Sequence, residues 1–557
     1  MNILLFTYVF AQEIPSTIGA IPERSGGSFQ LSQYDEKIIT GPSIGADEIP
    51  LDVSSTFLGF NYDDNVTENI AWFIPPDPIG AAGNDRLIAV VNTMIESRNK
   101  TGTLLWRDAL SDFFATLAPI TKTFDPKVVW DHYENRFVVI TLEQIQAGSN
   151  PNTGNISRIL LAVSKTANPA TATSADWYYY AINAKVLIST VEMWADYPGF
   201  ELDEEAIYIT NNMFEFLGGP GSNFGVRLWI VDKGVSTGFY AGGLASHTIH
   251  DPYSVGGIAL TTQPALVYGA GGVGPGIGTY LVAYSGTWDG VDEFIQVIRV
   301  NNPLGTVSFT HAWVNVGHIE DHSWPSLPEA PQLGTSTLIG VNDRRALDAV
   351  WRDDDNNGAN IWFTATIDPD ATYDAANTGE TTAHWFRINT SSWPPALVDQ
   401  GDIGGEDITA DTYTFFPSLA VNQTGDVYFG FSASSSTIYP GSYAAARYFS
   451  DSAGTVRASE TIIPGVDHYK RTLGGSRNRW GDYSGVALDP TDDTIFWIFN
   501  EYAMVRGSVF GGEDGRWGTG WGKVTVLSLE PCINGSIMYN TETGKFNFCE
   551  DGIWVEK

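Results

Sequence analysis

One short phrase recurs along this chain and limits the folds open to it more than any other feature. Each copy begins with an aromatic or acidic residue or with proline, and it continues into a run of small and β-branched residues. The longest copy spans 479–490 and leads through a polar turn into the apolar run 495–497. Six further copies lie at 77–81, 125–129, 197–200, 263–267, 324–327 and 416–421. A repeated unit of this size indicates stacked or radially arranged modules.

The segments between these phrases alternate β-branched and aromatic residues and show almost no helical periodicity, which predicts an all-β chain. Seven units of about four strands favour radial closure, so we expect a seven-bladed β-propeller. Each phrase is then expected to start the inner strand of a blade, with 324–327 starting the fifth. Tandem β-sandwich domains are the alternative.

The two ends of the chain differ from the repeats. Residues 1–11 form an apolar run with a small-residue cleavage pattern, which predicts a signal peptide, and the polar stretch 12–65 predicts an extended leader. The propeller is expected over 66–528. Residues 529–557 contain both cysteines of the chain, Cys532 and Cys549. We predict that they form a disulfide that staples a small C-terminal β-hairpin module, which requires an oxidising compartment.

The formal net charge is −35 at pH 7, and this charge repels nucleic acids and anionic membranes. No segment reaches the roughly 18 apolar residues that a membrane-spanning helix needs. We therefore expect a secreted, extracellular or cell-surface protein with no nucleic-acid partner and no membrane insertion. The charge itself fits either general solubility or cation binding by clustered carboxylates.

Three motifs resemble a broad group of uncharacterised secreted bacterial β-propeller proteins. The stretch 75–83 reads PPDxxGxxG and is similar to the opening of those proteins, and 125–131 reads DPxVxWD and is similar to their second unit. The stretch 480–497 reads WGDYS followed by DPxDDTxFW and is similar to their final blade. The resemblance implies a propeller fold and an extracellular location, and it implies little about chemistry.

The strongest metal signal is the alternation of Asp353, Asp355 and Asn357 before Gly358, which resembles the first half of a calcium loop. Oxygen ligands at alternate positions can wrap a hard cation while glycine permits the sharp turn. The twelfth position is Thr364 rather than glutamate, so the loop is not an EF-hand. Ca²⁺ is the cofactor that the sequence suggests, and an Asp/Asn-rich β-turn without a metal is the alternative.

Four residues are candidates for catalysis. His318 and His322 flank two carboxylates just before the fifth phrase, where they would serve as metal ligands or as acid/base groups, or simply lie in a polar loop. Asp482 and Tyr483 lie in the longest phrase and would act on a uronate at the channel, or would only pack between blades. The sequence contains no nucleophile elbow, P-loop, dinucleotide fingerprint or His-Glu-x-x-His motif.

Two functions therefore compete. The first is an extracellular binding or structural propeller, calcium-stabilised, that binds a glycan or a protein or associates with itself, with the C-terminal module used for attachment. The second is a polysaccharide lyase or glycoside hydrolase with its site on the central channel. An enzyme predicts titratable side chains converging in a channel pocket, whereas a binding protein predicts a filled channel and an exposed apolar patch elsewhere.

Overall fold

Seven antiparallel sheets follow one another around an axis in the computed structural model of this chain, which confirms the predicted all-β, seven-bladed propeller. The inner strand of each sheet contacts the inner strands of its two neighbours, and the last contacts the first, so the ring is closed. The structure describes residues 51–525 apart from 70, 122, 149–150, 218–222, 253–260, 270, 285–288, 321–326 and 370–378. It also describes the backbone of 537–540, 545–550 and 553–556.

The blades are numbered along the chain, and their strands are given from the axis outward. Blade 1 consists of Ile79–Ala82, Arg86–Val91, Met94–Asn99 and Leu104–Ala109. Blade 2 consists of Phe124–Asp131, Arg136–Ile145, Ile156–Ser164 and Trp177–Asn183. Blade 3 consists of Val191–Leu202, Ala206–Glu215, Asn223–Asp232 and Ser246–His250, with Val186–Ile188 added beside its inner strand. Blade 4 consists of Thr262–Pro264, Ile277–Ala283, Glu293–Asn301 and Ser308–Gly317.

Blade 5 consists of Ala346–Asp354, Gly358–Ile367, Thr382–Asn389 and Ala396–Ile403, and Leu266–Val267 pairs in parallel with its inner strand. Blade 6 consists of Tyr413–Val421, Val427–Ser435, Ile438–Arg447 and Glu460–Ile463. Blade 7 consists of Gly485–Leu488, Ile495–Met504, Arg516–Thr525 and Asp52–Asn61. The short helices are Asp64–Asn69, Leu110–Phe113, Ala115–Leu117 and Phe239–Ala241.

The ring is closed by a strand from the beginning of the described chain. Asp52–Asn61 lies within the stretch that the sequence assigned to the leader, and it pairs with Arg516–Thr525 as the outer strand of blade 7. Phe57 lies opposite Trp521 in this register. Blade 7 is therefore built from both ends of the described propeller, and its closure depends on a strand that carries no copy of the recurring phrase.

The recurring phrase has a backbone reason. In blades 1, 2, 3 and 6 the residue before the proline has positive φ, namely 49° at Asp77, 47° at Asp125, 46° at Tyr197 and 51° at Phe416. The strand register shifts at this point in blades 2, 3 and 6, as in a β-bulge. A bulge bends the strand and re-aims the side chain that it carries. In these four blades the phrase thus marks a bend of the backbone at the start of the inner strand.

The fifth phrase is the exception, and the prediction that 324–327 starts the inner strand of blade 5 is wrong. The inner strand begins at Ala346, and Leu327 lies in a loop, while 324–326 lie outside the described residues. A separate hairpin, Ala330–Gln332 with Thr335–Ile339, occupies the intervening chain. This hairpin separates the fifth phrase from the inner strand of blade 5.

The hydrophobic core lies between neighbouring sheets rather than within one centre. Trp362 and Trp385 of blade 5 pack at a ring-centroid distance of 5.7 Å, and Phe429 of blade 6 lies 6.2 Å from Trp385. Such aromatic wedges fill the space that widens between blades away from the axis. No helix in the described part of the chain is long and apolar enough to cross a membrane.

The propeller has two faces, which we name from the course of its strands. Inner strands begin at the upper face, where the connections between strands 2 and 3 and between successive blades also lie. The turns between strands 1 and 2 and between strands 3 and 4 lie at the lower face. The backbone of Ile537–Asn540, Lys545–Glu550 and Ile553–Glu556 forms a three-stranded antiparallel sheet, where the sequence suggested a hairpin. Cys532 and the side chain of Cys549 lie outside the described residues, so their disulfide stays a prediction.

Candidate functional site

Four aspartates from four blades meet at the upper end of the channel. Asp77, Asp125, Asp196 and Asp482 come from blades 1, 2, 3 and 7, and each is at most 5% exposed. Asp77 Oδ1 accepts a hydrogen bond of 2.8 Å from the backbone N–H of Asp482. Asp125 Oδ2 accepts one of 3.2 Å from the backbone N–H of Tyr197. We call these four residues the axial aspartates, and two of them hold the backbone of a neighbouring blade in place.

Asp482 is the member that the sequence singled out, and it is held by basic and amide groups. Its Oδ2 lies 3.0 Å from Nη2 of Arg479, and its Oδ1 accepts a hydrogen bond of 2.7 Å from the amide of Asn342. Arg477 in turn donates to the amide oxygen of Asn342 at 2.9 Å. Burial disfavours the charged carboxylate, but Arg479, Arg477 and Arg345 outweigh it and lower the pKa of Asp482. Asp482 is therefore the ionised member of the cluster.

The pKa values of the other three axial aspartates shift in the opposite direction from that of Asp482. Burial, and then the negative charge of neighbouring carboxylates, raises the pKa of Asp77 and of Asp125 well above its usual range. Burial and the charge of Asp482 raise the pKa of Asp196 to about 6. Like charges that share a low-dielectric site cannot all ionise together. The cluster thus combines a carboxylate whose pKa is lowered with carboxyls whose pKa values are raised, a division that acid/base catalysts also use.

Tyr483 closes the channel below this cluster. Its ring is 1% exposed, and its hydroxyl donates a hydrogen bond of 3.2 Å to the carbonyl of Pro126. The ammonium of Lys127 lies 4.3 Å from the centre of the Tyr483 ring. Burial, and then the charge of Asp125, raises the pKa of Tyr483 well above its ordinary value. A neutral, buried phenol that already donates a hydrogen bond is arranged for packing rather than for proton abstraction.

Of the two histidines suggested by the sequence, the structure describes His318, which lies beside blade 4. His318 follows the outer strand of blade 4 on the upper face, its side chain is 34% exposed, and its Nδ1 lies 3.3 Å from Oε1 of Glu293. Glu293 also accepts a hydrogen bond of 2.6 Å from the backbone N–H of Ile319. His322 lies outside the described residues. The described contact of His318 with Glu293 therefore lies within blade 4.

A small cavity lies along the axis, lined by residues from the inner strands of all seven blades. Its volume is ≈ 70 Å³, which is room for about five water molecules at 10–15 Å³ each. Glu201, Gln263 and Asp348 supply polar groups to its wall, together with Lys127. A cavity of this size has no room for a polysaccharide chain. The channel is therefore largely filled by the protein's own side chains.

The hairpin predicted to bind calcium lies on the lower face, at the turn between strands 1 and 2 of blade 5. Asp355 is exposed, and its Oδ1 accepts a hydrogen bond of 3.0 Å from Gln423. Asn357 accepts a hydrogen bond from Arg387 through its amide oxygen. The buried Asp354 organises the turn, since its Oδ1 accepts the backbone N–H groups of 356 and 357 at 3.1 and 2.6 Å.

In the described part of the chain, no group of three or more His, Cys, Asp or Glu side chains is placed to hold a metal ion. Calcium binding by Asp353, Asp355 and Asn357 stays a prediction. It would require the amide oxygen of Asn357 to leave Arg387, because a guanidinium and a cation cannot share that oxygen.

Sequence reasoning missed three of the four axial aspartates. Asp77 and Asp125 each begin a recurring phrase and are followed by proline, and Asp196 directly precedes the phrase that begins at Tyr197. The available signal was this repetition: an acidic residue at the start of several inner strands must converge on the axis once the strands are arranged radially. Glu201 directly follows the phrase at 197–200 and Gln263 begins the phrase at 263–267, but neither phrase indicates by itself that these side chains face the axis.

No protein-family model matches this chain, and no curated protein matches it. Among solved structures, a mutant apocarotenoid oxygenase from Synechocystis is similar over 70% of this chain and 72% of its own, with 10% identity and a TM-score of 0.36. A Dyadobacter fermentans protein of unknown function is similar over 72% of this chain and 94% of its own, with 10% identity and a TM-score of 0.33. A Trypanosoma rangeli sialidase is similar over 77% of this chain and 56% of its own, with 9% identity and a TM-score of 0.34. Likenesses of this order carry no argument about function.

Proposed function

We propose that this chain is an extracellular binding propeller that docks a partner on its upper face, outside the channel, and that the partner is a second copy of the chain. The filled channel and a group of exposed apolar side chains on one face are the two features that a binding protein predicts and an enzyme does not. The apolar run 1–11, the net charge of −35 and the resemblance to secreted propellers support the extracellular location.

The observation that carries the proposal is a group of exposed aliphatic side chains on adjoining loops over blades 6 and 7, which we call the apolar patch. It consists of five aliphatic residues with exposures of 41%, 49%, 51%, 62% and 69%: Leu338, Val466, Leu473, Val505 and Val509. They lie on the 330–339 hairpin and on two upper-face loops, 464–484 and 505–515. Single exposed apolar residues are ordinary, but several on adjoining loops indicate an interaction surface.

The loops that carry the patch are held in place from beneath by Arg471. This residue is fully buried, and it donates hydrogen bonds to the carbonyls of Gly515 at 2.5 Å, Glu513 at 2.9 Å and Ser508 at 2.9 Å. The backbone N–H of Leu473 donates to Oε2 of Glu513 at 2.9 Å. A surface that is ordered before binding loses less conformational entropy when its partner arrives.

The chemistry of the patch favours a protein partner over a glycan. Aliphatic side chains gain by shedding water against another apolar surface, whereas the hydroxyls of a sugar would lose their hydrogen bonds there. A second copy offers the same apolar surface, as an isologous dimer requires. The module 529–557, with its predicted Cys532–Cys549 disulfide, would add a further attachment point.

Sedimentation velocity over a concentration series tests this proposal. The wild type should associate, and added salt should strengthen the association by screening the repulsion between two strongly acidic chains. Val509→Asp should reduce the association constant at least tenfold. Leu304→Asp, a matched change at a 45% exposed leucine on the lower face of blade 4, should not. A wild type that stays monomeric at every concentration, or an equal effect of both variants, contradicts the proposal.

The second candidate is the polysaccharide-active enzyme, and one observation favours it. The pKa of Asp482 is lowered by its arginines while burial raises the pKa of Asp196 to about 6, which is the pairing of anion and acid that glycosidases use. The channel would then have to open to admit a chain. The test is product release from acidic polysaccharides. Loss of this activity in Asp196→Asn would favour this candidate over the first, provided that Glu205→Gln, a change at an exposed carboxylate, keeps the activity.

A further inference from the structure

A short segment that leaves one blade and packs on another closes the lower end of the channel. The inner strand of blade 4 is only three residues long, and Leu266–Val267 then pairs in parallel with the inner strand of blade 5. The backbone N–H of Tyr268 donates a hydrogen bond of 3.0 Å to the carbonyl of Trp351. Tyr268 lines the axial cavity, whereas Gly269 is exposed. We call residues 266–269 the strap, because the chain passes here from the cavity wall to solvent.

The strap is fastened to blade 2, on the other side of the channel. The Tyr133 hydroxyl donates a hydrogen bond of 2.9 Å to the carbonyl of Val267 and lies 3.1 Å from that of Gly269. The His132 ring stacks on the Tyr268 ring at a centroid distance of 4.5 Å and an interplanar angle of 18°. Both residues of blade 2 lie in the lower-face turn between its first two strands. The strap therefore joins blades 2 and 5 across the lower end of the channel.

The surroundings of His132 favour a neutral ring. Its Nδ1 and Nε2 are both buried, and neither has a hydrogen-bond partner in the described part of the chain. The Tyr268 ring lies 4.8 Å from the guanidinium of Arg352, and the Tyr133 ring lies 5.1 Å from the ammonium of Lys233. The two rings that could stabilise an imidazolium therefore already interact with a cation. A buried charge without hydrogen-bond acceptors is strongly disfavoured.

The nearest carboxylate does not offset these cations. Asp131 precedes His132, but its Oδ2 lies 2.7 Å from the Lys233 ammonium and accepts a hydrogen bond of 2.8 Å from Tyr240. Burial lowers the pKa of His132 to about 4 from its usual value of 6.5. The charge of Asp131 opposes this shift, and the charges of Lys233 and Arg352 add to it. Other carboxylates face the two tyrosines of the stack, namely Asp203 and Glu204 at Tyr133, and Glu201, Asp348 and Asp493 at Tyr268.

We propose that the strap is an acid-sensitive lid on the axial cavity and that neutral His132 keeps it closed. In the open form the histidine reaches water and titrates normally. Between pH 6.5 and pH 4 the open form therefore binds more protons than the closed form, and acidification favours opening. Gly269 ends the strap with a φ of 105° and supplies a position at which the backbone can swing. The lid lies at the lower face, so it does not depend on the proposed self-association.

Amide hydrogen exchange of the full chain tests the lid, after correction for the intrinsic effect of pH on exchange. The opening constant should rise about twentyfold between pH 7 and pH 5, as expected for one group whose pKa is about 4 when closed and 6.5 when open. The Tyr268 N–H should lose protection by that factor, whereas the amides of Gly358–Ile367 in blade 5 should not. His132→Phe keeps an aromatic stack without a titratable group, and its strap should stay equally protected at both pH values. His250→Phe, a change at a half-buried histidine on the outer strand of blade 3, should respond as the wild type does.

Two further variants keep the test decisive if His132→Phe does not fold. His132→Gln does not titrate either and should give the same constant protection. Tyr133→Phe removes one hydrogen bond of the strap, so it should speed exchange of the Tyr268 N–H at both pH values and keep the twentyfold ratio. Equal protection of the wild-type strap at pH 7 and pH 5 overturns the proposal, and so does a loss in the neutral variants that matches the wild type. Loss of protection throughout the seven blades at pH 5 overturns it as well, because the response would then be global unfolding.

Discussion

Asp77 accepts a hydrogen bond from the backbone N–H of Asp482 at 2.8 Å, although 405 positions separate the two residues. One residue precedes the inner strand of blade 1 and the other that of blade 7. The contact joins the first and last blades at the axis, and Asp52–Asn61 joins them again at the rim. Ring closure thus depends on an inner and an outer connection between the same two regions of the chain.

The outer connection predicts a sharp effect of truncation. Removal of residues 1–61 deletes the outer strand of blade 7 and leaves Arg516–Thr525 as an unpaired sheet edge. We expect this variant to aggregate or to lose cooperative thermal unfolding. Removal of residues 1–50 is the control, and it should keep the Tm of the whole chain because the strand remains. Equal Tm values for the two truncations would contradict the assignment of closure to Asp52–Asn61.

The inner connection predicts the effect of neutralising Asp482. Asp482→Asn leaves Arg479 and Arg477 buried without their anion, which costs about 3 kcal/mol of unfolding free energy even though the remaining aspartates repel one another less. For a propeller of this length that corresponds to a fall in Tm of about 3 °C. Glu205→Gln changes an exposed carboxylate and should shift Tm by less than about 0.5 °C. Scanning calorimetry of both variants tests this prediction. An unchanged Tm for Asp482→Asn would show that the Asp482 carboxylate does not stabilise the fold.

Asp196 predicts a dependence of stability on pH. Its pKa is about 6 in the folded protein against roughly 4 in an unfolded chain. Between these values the folded state binds more protons, so this carboxyl makes the protein less stable as the pH rises from about 4 through 6. Asp196→Asn stays neutral, and its Tm relative to the wild type should therefore rise by about 2–3 °C between pH 4 and pH 7. If the difference in Tm between Asp196→Asn and the wild type does not vary with pH, the raised pKa of Asp196 is contradicted.

The sequence predicted much of the fold because one local rule repeats. Six of the seven phrases fall on inner strands, and in four of them a positive-φ residue before proline leaves a visible mark in the sequence. The fifth fails because the 330–339 hairpin lies between the phrase and the inner strand of blade 5, which begins only at Ala346. The strand Asp52–Asn61 was missed because pairing across the whole chain has no local signal.

The site was less predictable, because it is made by convergence. Asp482 stood out within the longest phrase, but its role depends on Asp77, Asp125 and Asp196, which lie hundreds of positions away. Of the basic groups that keep it ionised, Arg479 lies in the same phrase, whereas Arg345 comes from a loop with no motif. The cavity oxygens of Glu201 and Gln263 are set by strand register, which a single sequence does not reveal.

Hydrogen–deuterium exchange compared between dilute and concentrated protein tests the central claim most directly, since it locates the contact surface. We predict added protection in the upper-face loops 464–474 and 505–512, with exchange along the inner strands and at the lower-face turns unchanged. Val509→Asp should abolish that added protection. Protection confined to the lower face, or no difference between the two concentrations, would contradict a partner surface over blades 6 and 7.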